Sequence, residues 1–317
     1  MARYLALLAS LCVAAQALAL SPRLPLAGGS VVALPTPMAP GGEVDFGALK
    51  SMLEWHVECG TAGIVALGTT GEASTIHGDE RASVLRACVD VCGGKIPVIV
   101  GTGCIDTRAT IALGLEAAEL GCDGHLVVTP YYVKPPPAGL LAHYRAVADA
   151  VDLPMLLYNV PGRTGVDMLP ETVAALALHD RIVGVKEASG DAARAALLRK
   201  LCGEDFLLYS GDDATSLDFC LKGGDGVISV TAAVAPREMQ AMIEAASLDV
   251  DTARVIDASL AGLHRDLFVQ ANPIPVKWAL QRAGRIPSGI RLPLVGLDAA
   301  YHSLLEDAMR AADVAIP

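Results

Sequence analysis

Eight short apolar runs, each followed by a stretch long enough for a helix, constrain this chain more than any other feature. The runs are Val31–Leu34, Gly63–Leu67, Pro97–Val100, His125–Val128, Met155–Tyr158, Ile182–Val185, Phe206–Tyr209 and Val227–Val230. Most are continuous rather than alternating, as in strands buried on both faces. Asp79–Cys92, Thr107–Leu120, Leu140–Ala150 and Ala192–Cys202 carry apolar residues at helical spacing with turn residues at their ends. Eight strand-then-helix units within about 220 residues predict an α/β fold closed into a (β/α)8, or TIM, barrel over residues 29–246. An open, doubly wound sheet is the competing architecture. It prefers a GxGxxG turn after an early strand, and Gly101-x-Gly103 lacks the third glycine. Thr252–Gln270, Pro275–Ala283 and Leu297–Ala312 read as helices, so residues 247–317 form a helical appendage packed on the barrel. Pro135-Pro136-Pro137 reads as a loop after the fourth strand.

Composition narrows the function classes. Hydrophobic residues make up 53% of the chain and aromatics only 4%, so Ala, Val, Leu and Ile must fill the core. The net charge of -11 and the absence of any Lys/Arg cluster argue against nucleic acid and against an anionic membrane surface. Of the eight cysteines, Cys12 lies in the leading apolar segment. The remaining seven are scattered without a CxxC pair, which speaks against a disulfide scaffold. Cys88 and Cys92 read as small buried residues on a helix face. The seven histidines form no ligand cluster in sequence, so neither a metal nor a cofactor is expected.

Residues 1–19 read as a signal or targeting segment: Arg3, an apolar stretch from Leu5 to Ala15, and the small-x-small site Ala17-Leu18-Ala19. Residues 20–28 follow as a short leader. No acidic residue precedes Glu43, which also fits an organelle address. Together these predict a plastid protein addressed through a signal peptide. The alternatives are a secreted protein, or a misread start and a cytoplasmic one.

In a (β/α)8 barrel the chemistry sits at the C-terminal ends of the strands. Of seven lysines, at 50, 95, 134, 186, 200, 222 and 277, only Lys186 interrupts an apolar strand. A free lysine amine has a pKa of about 10.4, so only about one in 10³ is neutral at pH 7. Desolvation lowers that pKa and frees the amine to attack a ketone and form an imine. The competing reading pairs Lys186 with Glu187, yet adjacent strand residues face opposite sides. Tyr158 ends the neighbouring strand, where a phenol can shuttle protons. Thr69 and Thr70 lie in the glycine-flanked turn Gly68–Gly71, where hydroxyls and N–H groups can hold a carboxylate; a strand-terminating hydroxyl turn is the bland alternative. Arg163 follows Pro161-Gly162, where a guanidinium fork can grip a carboxylate; a plain loop arginine is its alternative. Tyr131 and Tyr132 read equally well as interface aromatics.

These motifs resemble the dihydrodipicolinate synthases (4-hydroxy-tetrahydrodipicolinate synthases) of the pyruvate-dependent class I aldolase superfamily. The resemblance is carried by Gly68-Thr69-Thr70-Gly71-Glu72, Tyr131-Tyr132, the run from Tyr158 to Gly165, Gly184-Val185-Lys186-Glu187-Ala188, and Asn272 to Trp278. It runs from about residue 29 to the C-terminus. It implies a lyase that condenses pyruvate with L-aspartate 4-semialdehyde, the first committed step of lysine biosynthesis by the diaminopimelate route. By the same resemblance Lys186 forms the pyruvate imine and Tyr158 is the proton shuttle. Thr69 relays protons towards Tyr132, which reaches in from the neighbouring subunit of a homotetramer built from two dimers. Thr70 holds the pyruvate carboxylate, Arg163 receives that of the semialdehyde, and Ile228 lines the pyruvate pocket through its carbonyl. In lysine-sensitive relatives the effector lies beside the tyrosine matching Tyr131. Here Gly78, Ile105 and Ala109 stand where polar side chains would be, with His77 and Arg81 nearby, which implies weak lysine inhibition or none.

Two alternatives stand beside this reading. One is a sialic-acid or sugar-acid lyase on the same barrel, which the resemblance expects to lack the paired threonines and the arginine. The other is a non-catalytic binding barrel, which loss of Lys186 or Tyr158 would favour.

Overall fold

The computed structural model describes residues 24–26 and 28–317. The expected targeting segment, residues 1–19, and the start of the leader lie outside them.

Eight parallel strands close into one barrel in sequence order. They are β1 (Gly29–Ala33), β2 (Gly63–Ala66), β3 (Val98–Gly101), β4 (Gly124–Val128), β5 (Met155–Asn159), β6 (Ile182–Glu187), β7 (Leu207–Ser210) and β8 (Gly226–Ser229). Closure is made by β1 against β8, with Val31 opposite Ile228. The helices are α1 (Phe46–Glu58), α2 (Gly78–Cys92), α3 (Thr107–Glu119), α4 (Pro137–Ala150), α5 (Pro161–Thr164), α6 (Pro170–Leu176), α7 (Arg194–Cys202), α8 (Ser216–Leu221), α9 (Pro236–Leu248), α10 (Val250–Asp266), α11 (Ile274–Arg282) and α12 (His302–Ala311). No helix among the described residues is long and apolar enough to cross a membrane.

The strands are nearly all buried along their whole length, which is why they read as unbroken apolar runs. Aspartates fix where several helices start. Asp45 accepts from the Ala48 N–H at 2.9 Å, Asp106 from Arg108 at 3.0 Å and Asp249 from Thr252 at 3.2 Å, each satisfying a donor that the first helical turn leaves over. Pro137 belongs to α4 rather than to the preceding loop. At the first helical position its missing N–H costs nothing and its ring presets φ.

One apolar core joins the barrel and the appendage. It runs from Leu24 to Ala312 and takes in Val276, Leu280, Leu305 and Met309 from α11 and α12. Leu24 and Leu26, within the expected leader, are buried and pack against Gly124 and Gly63 at the starts of β4 and β2. They pack at the N-terminal end of the barrel.

Candidate active site

Lys186 and Tyr158 sit side by side near the C-terminal ends of β6 and β5, in direct register. Both are buried, and the Lys186 Nζ lies 4.5 Å from the centre of the Tyr158 ring. Burial pulls the Lys186 amine down to about 8; Asp213 and then Asp212 hold it up, and Arg163 pulls it down further. Burial likewise pushes the Tyr158 phenol up to about 12, so at neutral pH it is a proton donor.

Glu187 is not the partner of Lys186. Its carboxylate faces the other way, accepting from Asn159 Nδ2 at 3.1 Å and from the Ser189 N–H at 2.8 Å, with Arg194 at 3.5 Å. Arg194 also pairs with Asp167, and Asn159 donates to Asp167 at 2.9 Å and accepts from the Met168 N–H at 2.9 Å. This network behind the strand ends anchors the return of the loop that carries Arg163. Arg163 itself is exposed on α5, yet its charge bears on both Tyr158 and Lys186, which places it at the same mouth.

The glycine-flanked turn after β2 divides its two threonines. Thr70 is buried, whereas Thr69 is exposed. The N–H groups of Gly71 and Glu72 close the turn onto the carbonyls of Gly68 and Thr69, at 3.1 Å each. Those of Thr69 and Thr70 donate to nothing among the described residues, which leaves two free donors. Gly71 has to be glycine: a Cβ there would stand 2.9 Å from the Leu67 nitrogen. Leu67 and Glu72 both hold positive φ, at 49° and 55°, so the turn is held in place by its surroundings.

Those surroundings include residues that sequence reasoning missed. Asn272 donates to Thr70 Oγ1 at 2.9 Å. Lys277 forms a buried ion pair with Glu72, whose other oxygen accepts from the Arg291 N–H at 3.1 Å. Lys277 is therefore a second buried lysine, with its amine engaged. The motif from Asn272 to Trp278 had been legible only as a family likeness, because its partners lie about 200 residues earlier. A Cβ on Gly211 would stand 2.8 Å from Lys186 Cε, so the loop after β7 presses directly on the lysine.

Ile228 is buried in β8 on the barrel wall. Tyr132 stands apart. It is 86% exposed with φ at 69°, and its N–H bonds the Thr164 carbonyl at 3.2 Å, tying its loop to that of Arg163. Around it Tyr131, Val133 and Ile105 are also exposed. Gly78 and Ala109 are exposed as well, but Arg81 is buried and committed to Glu116 at 2.8 Å and to the Gly101 carbonyl at 3.2 Å. Its guanidinium is therefore engaged.

A buried amine beside a phenol can form an imine with a keto acid, and a turn with free N–H groups or an arginine can hold a carboxylate. The sequence profile of the dihydrodipicolinate synthetase family matches residues 26–312. The chain is 55% identical, over 89% of its length and 96% of the relative's, to the 4-hydroxy-tetrahydrodipicolinate synthase of Alcanivorax borkumensis. Its fold superposes on the chloride-inhibited dihydrodipicolinate synthase of Acinetobacter baumannii, solved with pyruvate. The TM-score is 0.89 and the identity 46%, over 91% of this chain and 100% of that one. It is similar too to the lysine-bound enzyme of Cyanidioschyzon merolae, at a TM-score of 0.88 and 42% identity over 91% and 99% of the two chains. With a family profile that spans the barrel and the appendage, and relatives more than half identical along nearly their whole length, the chain belongs to the dihydrodipicolinate synthase family.

Proposed function

We propose that the chain is a lyase of lysine biosynthesis that condenses pyruvate with L-aspartate 4-semialdehyde through an imine on Lys186. The observation that carries this reading is the desolvated amine of Lys186 against Tyr158. With its pKa near 8, about one amine in ten is neutral at pH 7, roughly 10²-fold more than for a free lysine.

The neutral amine adds to the ketone carbon of pyruvate. Tyr158, protonated at neutral pH, supplies the proton with which the carbinolamine oxygen leaves as water. The Thr70 hydroxyl and the free N–H groups of the Gly68–Gly71 turn hold the carboxylate, and the Ile228 carbonyl lines the pocket. Loss of a methyl proton from the iminium gives an enamine, which attacks the aldehyde carbon. The amine of the second substrate then displaces Lys186, closing the ring and regenerating the enzyme. One water is released overall, and no cofactor takes part.

Arg163 receives the carboxylate of the semialdehyde. Arg163→Ala is expected to lose about 2–4 kcal/mol of transition-state stabilisation, as for a bidentate charged pair, while imine formation with pyruvate survives. Steady-state rates beside trapping with pyruvate alone check this; equal loss in both assays would mark a structural arginine. The sugar-acid lyase alternative gains no support, since Thr69, Thr70 and Arg163 are all present in the chain.

The same reading makes the protein a homotetramer of two dimers, with Tyr132 completing the proton relay from Thr69 in the neighbouring subunit. The exposed cluster of Tyr131, Tyr132, Val133 and Ile105 supports a covering partner copy. In sedimentation at assay concentration the active species should be at least dimeric, and Tyr132→Phe should lower kcat without dissociating it. A fully active monomer would remove the shared site. Weak inhibition by free lysine, or none, belongs to this reading too, and half-inhibition at submillimolar lysine would refute it. A plastid address in residues 1–19 remains part of the proposal, checked by where a fluorescent fusion of the full chain accumulates.

A further inference from the structure

The mechanism above leaves a buried carboxylate unused. Asp213 lies in the loop after β7, two residues beyond the Gly211 backbone that abuts Lys186, and it is 2% exposed. Its Oδ2 accepts from the Val230 N–H at 3.0 Å, the Thr231 N–H at 2.8 Å and the Thr231 hydroxyl at 3.1 Å. Its Oδ1 is buried with no partner among the described residues. A carboxylate oxygen held by three donors beside one held by none is aimed by its surroundings.

The chain continues into the appendage. Thr231 Oγ1 lies 2.9 Å from Nδ1 of His264 on α10, and both residues are buried. The Thr231 proton is directed at Asp213, so its oxygen accepts from His264, and Nδ1 carries the hydrogen. The other ring nitrogen faces Asp257 Oδ1 at 3.6 Å. The charges that bear on Lys186 come from Asp213 and Asp212 in the loop after β7, whose Gly211 abuts the lysine chain, and from Arg163 on α5, with the Tyr158 phenol of β5 beside the amine. Of these charges Asp213 acts most strongly.

We propose that Thr231 and His264 are positioning residues for Lys186: His264 orients the Thr231 hydroxyl, the hydroxyl pins one oxygen of Asp213, and the other oxygen balances the positive charge on the Lys186 iminium. The inference rests on the imine reading of Lys186. It gives α10 a part in the chemistry through Thr231 and Asp213. It also predicts that loosening Asp213 leaves the amine easier to deprotonate and the iminium less well held.

The test uses the full chain and two matched pairs of variants. Thr231→Ser keeps the hydroxyl and Thr231→Val removes it; His264→Asn keeps an amide donor near the Nδ1 position and His264→Leu does not. Borohydride-trapped pyruvate on Lys186 is measured against pH, alongside kcat and the KM for pyruvate. Thr231→Val and His264→Leu are expected to lower kcat by about tenfold, the scale of one hydrogen bond, with KM little changed. They should also trap less imine and move the acidic limb of trapping to lower pH. Asp213→Asn should move the limb further in the same direction, and Thr231→Ser and His264→Asn should restore it. If Thr231→Val and His264→Leu lose activity while the limb stays where it is in the unmodified chain, the role is structural and the inference is overturned; unchanged activity and trapping overturn it equally. If the unmodified chain yields no adduct at any pH, the imine reading itself fails, a result distinct from an adduct whose limb does not move.

Discussion

Lys186→Met is expected to abolish the condensation, with kcat falling on the order of 10⁴-fold or more, the scale on which loss of a covalent nucleophile is felt. The substitution keeps an unbranched chain and removes only the amine. Its effect on stability has the opposite sign. Burial lowers the amine from 10.5 in the unfolded chain to about 8 in the fold. Between those values the unfolded chain binds more protons, so the folded state gains stability as pH rises through that window. Below about pH 8 the whole penalty is present, about 3 kcal/mol for a shift of this size. Met removes it, so at pH 7 the inactive variant should unfold at a higher denaturant concentration than the unmodified chain, and the difference should shrink above pH 10. A variant that is inactive and also less stable at pH 7 would mean that the buried amine is not a cost to the fold.

The second large effect is expected at Lys277. Its ion pair with Glu72 is buried, and burial pulls its amine below the usual lysine range although Glu72 holds it up. Lys277→Met leaves the Glu72 carboxylate buried with only the Arg291 N–H. Breaking a buried pair from one side costs about 3–5 kcal/mol, because an uncompensated charge remains. The double variant Lys277→Met, Glu72→Gln should recover much of that loss, since it removes both charges. Glu72 is part of the turn that presents Thr70, so the single variant should also raise the KM for pyruvate. Denaturant unfolding and steady-state kinetics on the same samples check both effects. A single variant as stable as the unmodified chain would show that Glu72 finds another partner.

Lys186 and Lys277 also show what the sequence could and could not reveal. Lys186 was legible because parallel strands buried on both faces leave an unbroken apolar run, against which one lysine stands out. Lys277 lies in an amphipathic helix, where a lysine is ordinary, and its partner is 205 residues away. Long-range pairing of this kind has no local signal. Asp213 and His264 were hidden for the same reason, since the hydrogen bonds that join them through Thr231 connect the loop after β7 to α10.

The strand positions were legible within about two residues. β5, β6 and β7 run past their apolar stretches because Asn159, Glu187 and Ser210 are polar strand residues, whereas the stretches at β1, β2 and β8 continue one apolar residue beyond the strand, to Leu34, Leu67 and Val230. Thr69 and Tyr132 were found by motif alone. A single chain leaves both exposed, and the relay proposed for them needs a second copy to complete it.

The central claim is that Lys186 forms the imine, and one measurement tests it most directly. The purified chain is incubated with pyruvate, reduced with borohydride, digested and weighed peptide by peptide. The peptide containing Lys186 should gain the mass of pyruvic acid less one oxygen atom, since imine formation loses water and reduction adds two hydrogens. No other lysine peptide should change, and Lys186→Met should take up nothing. An adduct on Lys277 or any other lysine, or none on the unmodified chain, would contradict the account.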